Sequence, residues 1–168
     1  MLFHAFLSIL LGIGSSEKTP PDCWNPFVHD YGMRDLAEVE PEMRGEFLAY
    51  WYFNEVYNGG HMQYFLNKHY FSWEETVDAM EAMGARDHAK ILREAIDIWR
   101  AEERRTPKTV EEYAEDAQEG DLWELDGAMY DIRPELEYYI DQSLAAKAKA
   151  KGRECRPTIR PRPAPTSD

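Results

Sequence analysis

The chain has 168 residues, with 43% hydrophobic and 13% aromatic content. That is enough apolar sequence for one domain core, and it excludes a wholly disordered chain. A net charge of −13 argues against direct attraction to a phosphate backbone and for basic partners. The charge is uneven: residues 17–141 carry 30 acids and 12 bases, a balance of −18, while residues 142–168 carry 2 acids and 7 bases.

The chain opens with MLFHAFLSILLGIGSS. Its apolar run is short for a membrane span, which needs about 20 residues, and no basic residue precedes it as a secretory signal would require. It reads as a buried first helix or as sequence ahead of the true start, with a signal or anchor as the alternative. Residues 17–32 carry three prolines and no helical period, so a loop is expected there. Residues 42–57 are helical in pattern. Met43, Phe47, Tyr50, Trp51 and Asn54 fall on one side, Leu48, Tyr52 and Val56 widen it, and Pro41 suits the helix start. A short helix is expected over 61–69. Ser72 with Glu75 forms a capping-box pattern, and Gly84 suits the position just past a helix end. Ala89, Leu92, Ala95, Ile96 and Trp99 give the next helix a 3, 4 spacing. Thr109 is a candidate cap for VEEYAEDA, a further helix spans about 122–131, and one opened by Pro134 carries Leu136, Ile140 and Leu144 inside. The basic, proline-rich end reads as disordered.

No strand alternation is present. The expected fold is all-α, an irregular bundle of roughly six to eight short helices. Residues 1–41 are an apolar segment and loop, 42–145 the helical domain and 146–168 a basic tail. Cys23 and Cys155 fit no metal spacing and read as two free thiols of a reducing compartment, with a cytoplasmic location.

Residues 55–67, EVYNGGHMQYFLN, interrupt the helical pattern. As a site they would offer Glu55, His61, Gln63 and His69, a conceivable metal-dependent enzyme centre. Repeated Glu-x-x-His or His-x-x-x-His spacing is missing, the glycine pair lacks phosphate-loop spacing, and no nucleophile motif occurs. No catalytic residue, metal or cofactor is assigned. The string reads instead as a joint: Asn58 ends one helix, Gly59 or Gly60 supplies a conformation other residues resist, and Gln63 and Asn67, one turn apart, bond backbone groups freed at the corner. His61 and His69 read as partly exposed.

Residues 111–141 contain 12 acids and a single base, Arg133. At about 1.5 Å of helix rise per residue this gives one carboxylate per ~4 Å, close to the one phosphate per ~3.4 Å of a DNA strand. An ordinary solvated acidic face would look the same by composition.

The string ExxNGGxxQYFxN, followed by a helix ending in MGA and a second alanine-rich helix, resembles a bacterial DNA-mimic protein family. The matching positions are Glu55, Asn58, Gly59, Gly60, Gln63, Tyr64, Phe65, Asn67, Ala82, Gly84 and Ala85, continued by Ala89, Leu92, Ala95 and Ile96. The family usually has Phe where His61 stands, which implies a weaker apolar plug at the joint. The resemblance implies an all-α fold and, for the characterised type, an acidic dimer that occupies the DNA-binding surface of a transcription repressor. Together with the charge pattern it gives the expected function: a non-enzymatic acidic protein that occludes a basic DNA-binding protein, a repressor or histone-like protein. Its contact surface would be Glu111, Glu112, Glu115, Asp116, Glu119, Asp121, Glu124 and Asp126, helped by acids on 74–81 and 135–141. Direct nucleic-acid binding and a membrane role are not expected, and a homodimer is possible. The alternative is an immunity or regulatory protein that neutralises a toxin or nuclease through the same surface.

Overall fold

A computed structural model describes residues 20–67, 72–101, 107, 109, 111–113, 115 and 120–163. The described chain is all-α. Its helices are α1 (Trp24–Tyr31), α2 (Arg44–Asn67), α3 (Trp73–Ala82), α4 (Arg86–Ala101), α5 (Leu122–Asp131) and α6 (Leu136–Ala150), with a 3-10 turn at Leu36–Glu38. Residues 111–113 and 115 are also helical. Helix α2 contacts α3, α5 and α6; α3 contacts α4, and α4 contacts α5. Four helices therefore close a ring, α2–α3–α4–α5, and α6 lies against α2.

The pattern of α4 is carried into the core as expected: Ala89, Leu92, Ala95 and Ile96 are buried, and Trp99 is half-buried. On α2 Glu46, Phe47, Leu48, Ala49, Tyr52, Glu55 and Val56 are buried, while Met43, Tyr50, Trp51 and Asn54 are half-buried. The helix is covered on two sides, so its arc is wider than one stripe. Tyr50 meets Trp24 and Phe27 of α1 edge-on. Ser72 accepts from Glu75 N at 3.3 Å, one half of the capping box. Glu75 itself turns to Arg44. Gly84 has φ 86°, as a residue just past a helix end needs. Thr109 Oγ1 accepts from Glu112 N at 3.1 Å.

Three expectations are corrected. The proline-containing stretch expected to be a loop holds α1. Pro26 lies in its first turn, where no intrahelical N–H bond is lost, Asp22 accepts from Asn25 N at 2.8 Å, and Phe27 is buried with Tyr31 stacked on it. Cys23 and Cys155 are not free thiols. They form a disulfide, with Cα atoms 5.2 Å apart and a sequence separation of 132 residues. The basic tail is not disordered through residue 163. After α6 the chain turns at Gly152 (φ 65°) and runs back along α6, where its backbone is bonded at several points. The apolar stretch 1–16 lies outside the described residues. Among those described, no helix is long and apolar enough to cross a membrane.

His88 of α4 is fully buried, edge-on to Tyr139 at 5.9 Å, and neither ring nitrogen has a partner among the described residues. Burial lowers its pKa to about 4, against smaller opposing effects of Asp87 and Glu135. The imidazole is therefore neutral in the fold and takes a proton more readily when unfolded. Its contribution to stability is complete above pH 6.5 and is lost as pH falls toward 4. At full titration the loss is about 3 kcal/mol. Urea denaturation of wild type is expected to show falling stability from pH 6.5 to 5. His88→Met is expected to flatten that decline and raise the midpoint at pH 7, because two orphaned polar atoms are gone.

Candidate functional site

The NGG string bends α2. Gly60 has φ 76° and ψ 179°, a region open essentially to glycine. A Cβ there would fall on the carboxylate of Asp126. The bend breaks the helical hydrogen-bond ladder, and the freed groups find partners from residues 111–131. His61 N donates to Asp126 Oδ1 at 2.8 Å. Tyr113 OH donates to Gly59 O and Tyr130 OH to Tyr57 O, each at 3.1 Å.

The His61 side chain is buried, not partly exposed, and its ring is held at both nitrogens: Nδ1 lies 2.5 Å from Asp126 Oδ1 and Nε2 lies 2.8 Å from Tyr52 OH. With Oδ1 as acceptor, the facing ring proton sits on Nδ1, and Nε2 accepts a hydrogen bond from the Tyr52 hydroxyl. Burial, helped by Tyr64 and Asp126, pushes the Tyr52 phenol well above its usual range, so it is a neutral hydroxyl. The imidazole joins both halves of α2 to α5.

Gln63 and Asn67 do share a face, but they do not bond the corner's backbone. Gln63 Nε2 and Asn67 Nδ2 both donate to Glu55 Oε2, at 2.8 and 3.0 Å. Glu55 is 7% exposed, and two amide donors stabilise its carboxylate one turn before the bend. His69, the fourth residue of the conceivable metal centre, lies outside the described residues. Among those described, no group of three or more His, Cys, Asp or Glu is placed to hold a metal.

The expected contact acids divide. Glu111, Glu112, Glu115, Asp121 and Glu124 are exposed, and among the described residues no ion pair to a base holds Glu111, Glu115, Asp121 or Glu124. Asp116 and Glu119 lie outside the described residues. Asp126 is turned inward, its side chain 14% exposed against His61. Several acids elsewhere are paired, although exposed Asp35, Glu38, Asp78, Asp87 and Asp97 have no ion pair among the described residues. On α3, Glu74 meets Arg100, Glu75 meets Arg44 and Glu81 meets Arg93. Glu46 holds Ser143 and Lys147, each at 2.5 Å. At the start of α6 Glu135 is buried under Arg162, and Asp141 is buried under the backbone of the tail.

The helical domain, its NGG bend and its acid-rich segment are matched as a unit: the family model described as DMP19-like protein covers residues 37–150. The chain belongs to the DMP19-like protein family. No curated protein and no solved structure matches it. The matched span contains α2 to α6 and leaves out α1, both cysteines and the returning tail. Of the residues that carried the resemblance, Glu55 to Asn67 lie at the bend, and Ala82 to Ile96 lie at the end of α3, the turn after it and α4.

Sequence reasoning missed Tyr113 and Tyr130 as supports of the bend. They lie among acids, and a tyrosine there reads as core filling. The Cys23–Cys155 pairing left no local signal.

Gly60→Ala is expected to cost roughly 2 kcal/mol or more, from strained φ and the clash with Asp126. Asp126→Ala is expected to cost about 2–4 kcal/mol, because it orphans a buried N–H and a buried ring nitrogen. Glu124→Ala, two residues earlier on α5, should stay within about 0.5 kcal/mol of wild type. Chemical denaturation of the three variants measures this contrast.

Proposed function

We propose that this DMP19-like protein works without catalysis, as an acidic binding protein that occupies the DNA-binding surface of a basic protein. The observation that carries the reading is the uneven neutralisation of its acids. On α3 three of the four carboxylates, Glu74, Glu75 and Glu81, meet arginines of the same chain. Among the described residues, Glu111, Glu112, Glu115, Asp121 and Glu124 are exposed, and Glu111, Glu115, Asp121 and Glu124 have no ion pair to a base there. Such a surface presents carboxylates where a DNA-binding groove expects phosphates, and association releases counterions as DNA does. Complementary charge then sets encounter rate and partner choice more than raw affinity. Family membership is compatible with this role. A transcription repressor or histone-like protein fits the surface. A toxin or nuclease fits it equally, since both also carry phosphate-binding cations.

The test is affinity capture from the native lysate over a salt series. Bound basic proteins should be lost steeply between 50 and 200 mM salt, by roughly 10³-fold for six phosphate-like contacts. Retention that ignores salt rejects the reading. Glu111→Lys, Glu112→Lys, Glu115→Lys and Glu124→Lys together should abolish capture, with the helical circular dichroism unchanged. A gene neighbourhood holding a repressor or a toxin separates the two partner classes.

A further inference from the structure

The tail that follows α6 is bound like a ligand. Cys23 N donates to Arg156 O at 3.2 Å and Arg156 N to Pro21 O at 2.9 Å. Asp141 Oδ2 accepts from Thr158 N at 2.5 Å and Ile159 N at 2.8 Å. Arg162 bonds Glu135 through its guanidinium and, at 3.3 Å, through its backbone N–H. Both carboxylates are essentially fully buried, at 2% exposure for Glu135 and 0% for Asp141. Asp141 Oδ1 has no partner among the described residues. A buried carboxylate with one oxygen unpaired adds little to a stable core. It makes sense as a receptor for backbone N–H groups of an extended chain, with Glu135 as receptor for an arginine. Residues 151–163 carry five bases and one acid, with prolines at 157, 161 and 163. This is an extended, basic segment laid on acids that the sequence assigns to the partner.

We propose that Glu135 and Asp141 form a docking groove for an extended arginine- and proline-bearing segment, occupied here by the chain's own residues 156–162 and locked by the Cys23–Cys155 disulfide. The lock is reachable. Both sulfur-bearing residues line a cavity of about 410 Å3, together with Phe27, Tyr31, Met43 and Leu144, and Cys155 is half-buried. A dithiol reductant attacks one sulfur through a thiolate, forming a mixed disulfide. That attack releases the other cysteine as thiolate, and the reductant's second thiol then displaces the cysteine held in the mixed disulfide. The cysteine S–S bond breaks, the reductant's S–S bond forms, and the two cysteines keep the two electrons and two protons. The crosslink closes a loop across almost the whole domain, so its loss lowers the local concentration of the tail at the groove. The groove then opens to a segment of the same chemistry supplied in trans. Both cysteines and the tail lie outside the family match, so the device belongs to this chain rather than to the shared domain. The proposal draws on the acidic-surface reading only for the basic character of the incoming segment.

The test uses the full chain, oxidised, reduced with dithiothreitol, and as Cys155→Ser. Amide hydrogen exchange at Thr158 and Ile159 should accelerate at least tenfold in the reduced and Cys155→Ser forms, while the amides of α4 keep their protection. Unchanged exchange at those two amides overturns the lock. A synthetic peptide with the sequence of residues 156–163, RPTIRPRP, is then titrated at millimolar concentration and followed by NMR. It should shift resonances around Asp141 in the Cys155→Ser form at least tenfold more strongly than in the oxidised form, and Asp141→Asn placed on Cys155→Ser should remove the shifts. Equal binding to oxidised protein, or no binding to the opened form, overturns the groove. Neither readout involves Glu111 to Glu124, so the salt series can fail while this test succeeds, and the reverse.

Discussion

Asp126 closes the ring of helices by accepting a backbone N–H that the turn at Gly60 leaves without a helical partner. That bond, with the ring contact to His61, ties α5 to the middle of α2. Since α2 also contacts α3 and α6, the crossing of the bundle's elements is set at one corner. Glycine is required there twice over, for its backbone angles and for the space the carboxylate fills. Tyr113 and Tyr130 complete the corner from either side of α5's start. Tyr113, Asp126 and Tyr130 thereby tie the described part of the acid-rich segment to the bend.

Carboxylates in this chain serve three physical purposes that composition cannot separate. Glu46, Glu55 and Asp126 are internal, each supplied with two or more donors. Glu74, Glu75 and Glu81 of α3 lie in ion pairs with arginines of other segments, where exposure keeps each worth little. Only the remaining acids are available to act on something outside. The net charge of −13 therefore overstates how much of the molecule can imitate a polyanion, and the relevant density is that of the stretch beginning at Glu111.

Much of the fold was legible because it rests on local rules. Ser72, Gly84 and the 3, 4 spacing of α4 mark helix ends and faces by caps, φ and period, all of which act within a few residues. The corner was legible as a corner, since adjacent glycines inside an aromatic helix have few other uses. What lay beyond the sequence was the identity of the long-range partners. Gln63 and Asn67 share a face, as a spacing of four predicts, yet their acceptor is Glu55 rather than the freed backbone. Asp126 looked like its neighbours because position on a helix does not reveal what crosses above it. The cysteines, 132 residues apart, and the tail were misread for the same reason: composition signals disorder when no apolar stripe is present, but this tail is held by backbone bonds to buried carboxylates.

That last difference bears on how the surface should be read. Acids at 135 and 141 belong to the same linear stretch as Glu111 to Glu124, and a charge count treats them alike. In the fold they face a strand-like basic segment of their own chain, bonded through backbone N–H groups that a DNA phosphate would not offer. A partner that reads phosphate spacing would engage the exposed acids near 111–124, where the carboxylates are solvated and screened. A partner that presents an extended backbone would require the recess on α6. The two surfaces thus select for different geometries of basic protein, one by charge density and one by hydrogen-bond pattern. Local neutralisation by the tail keeps the second closed while leaving the first open.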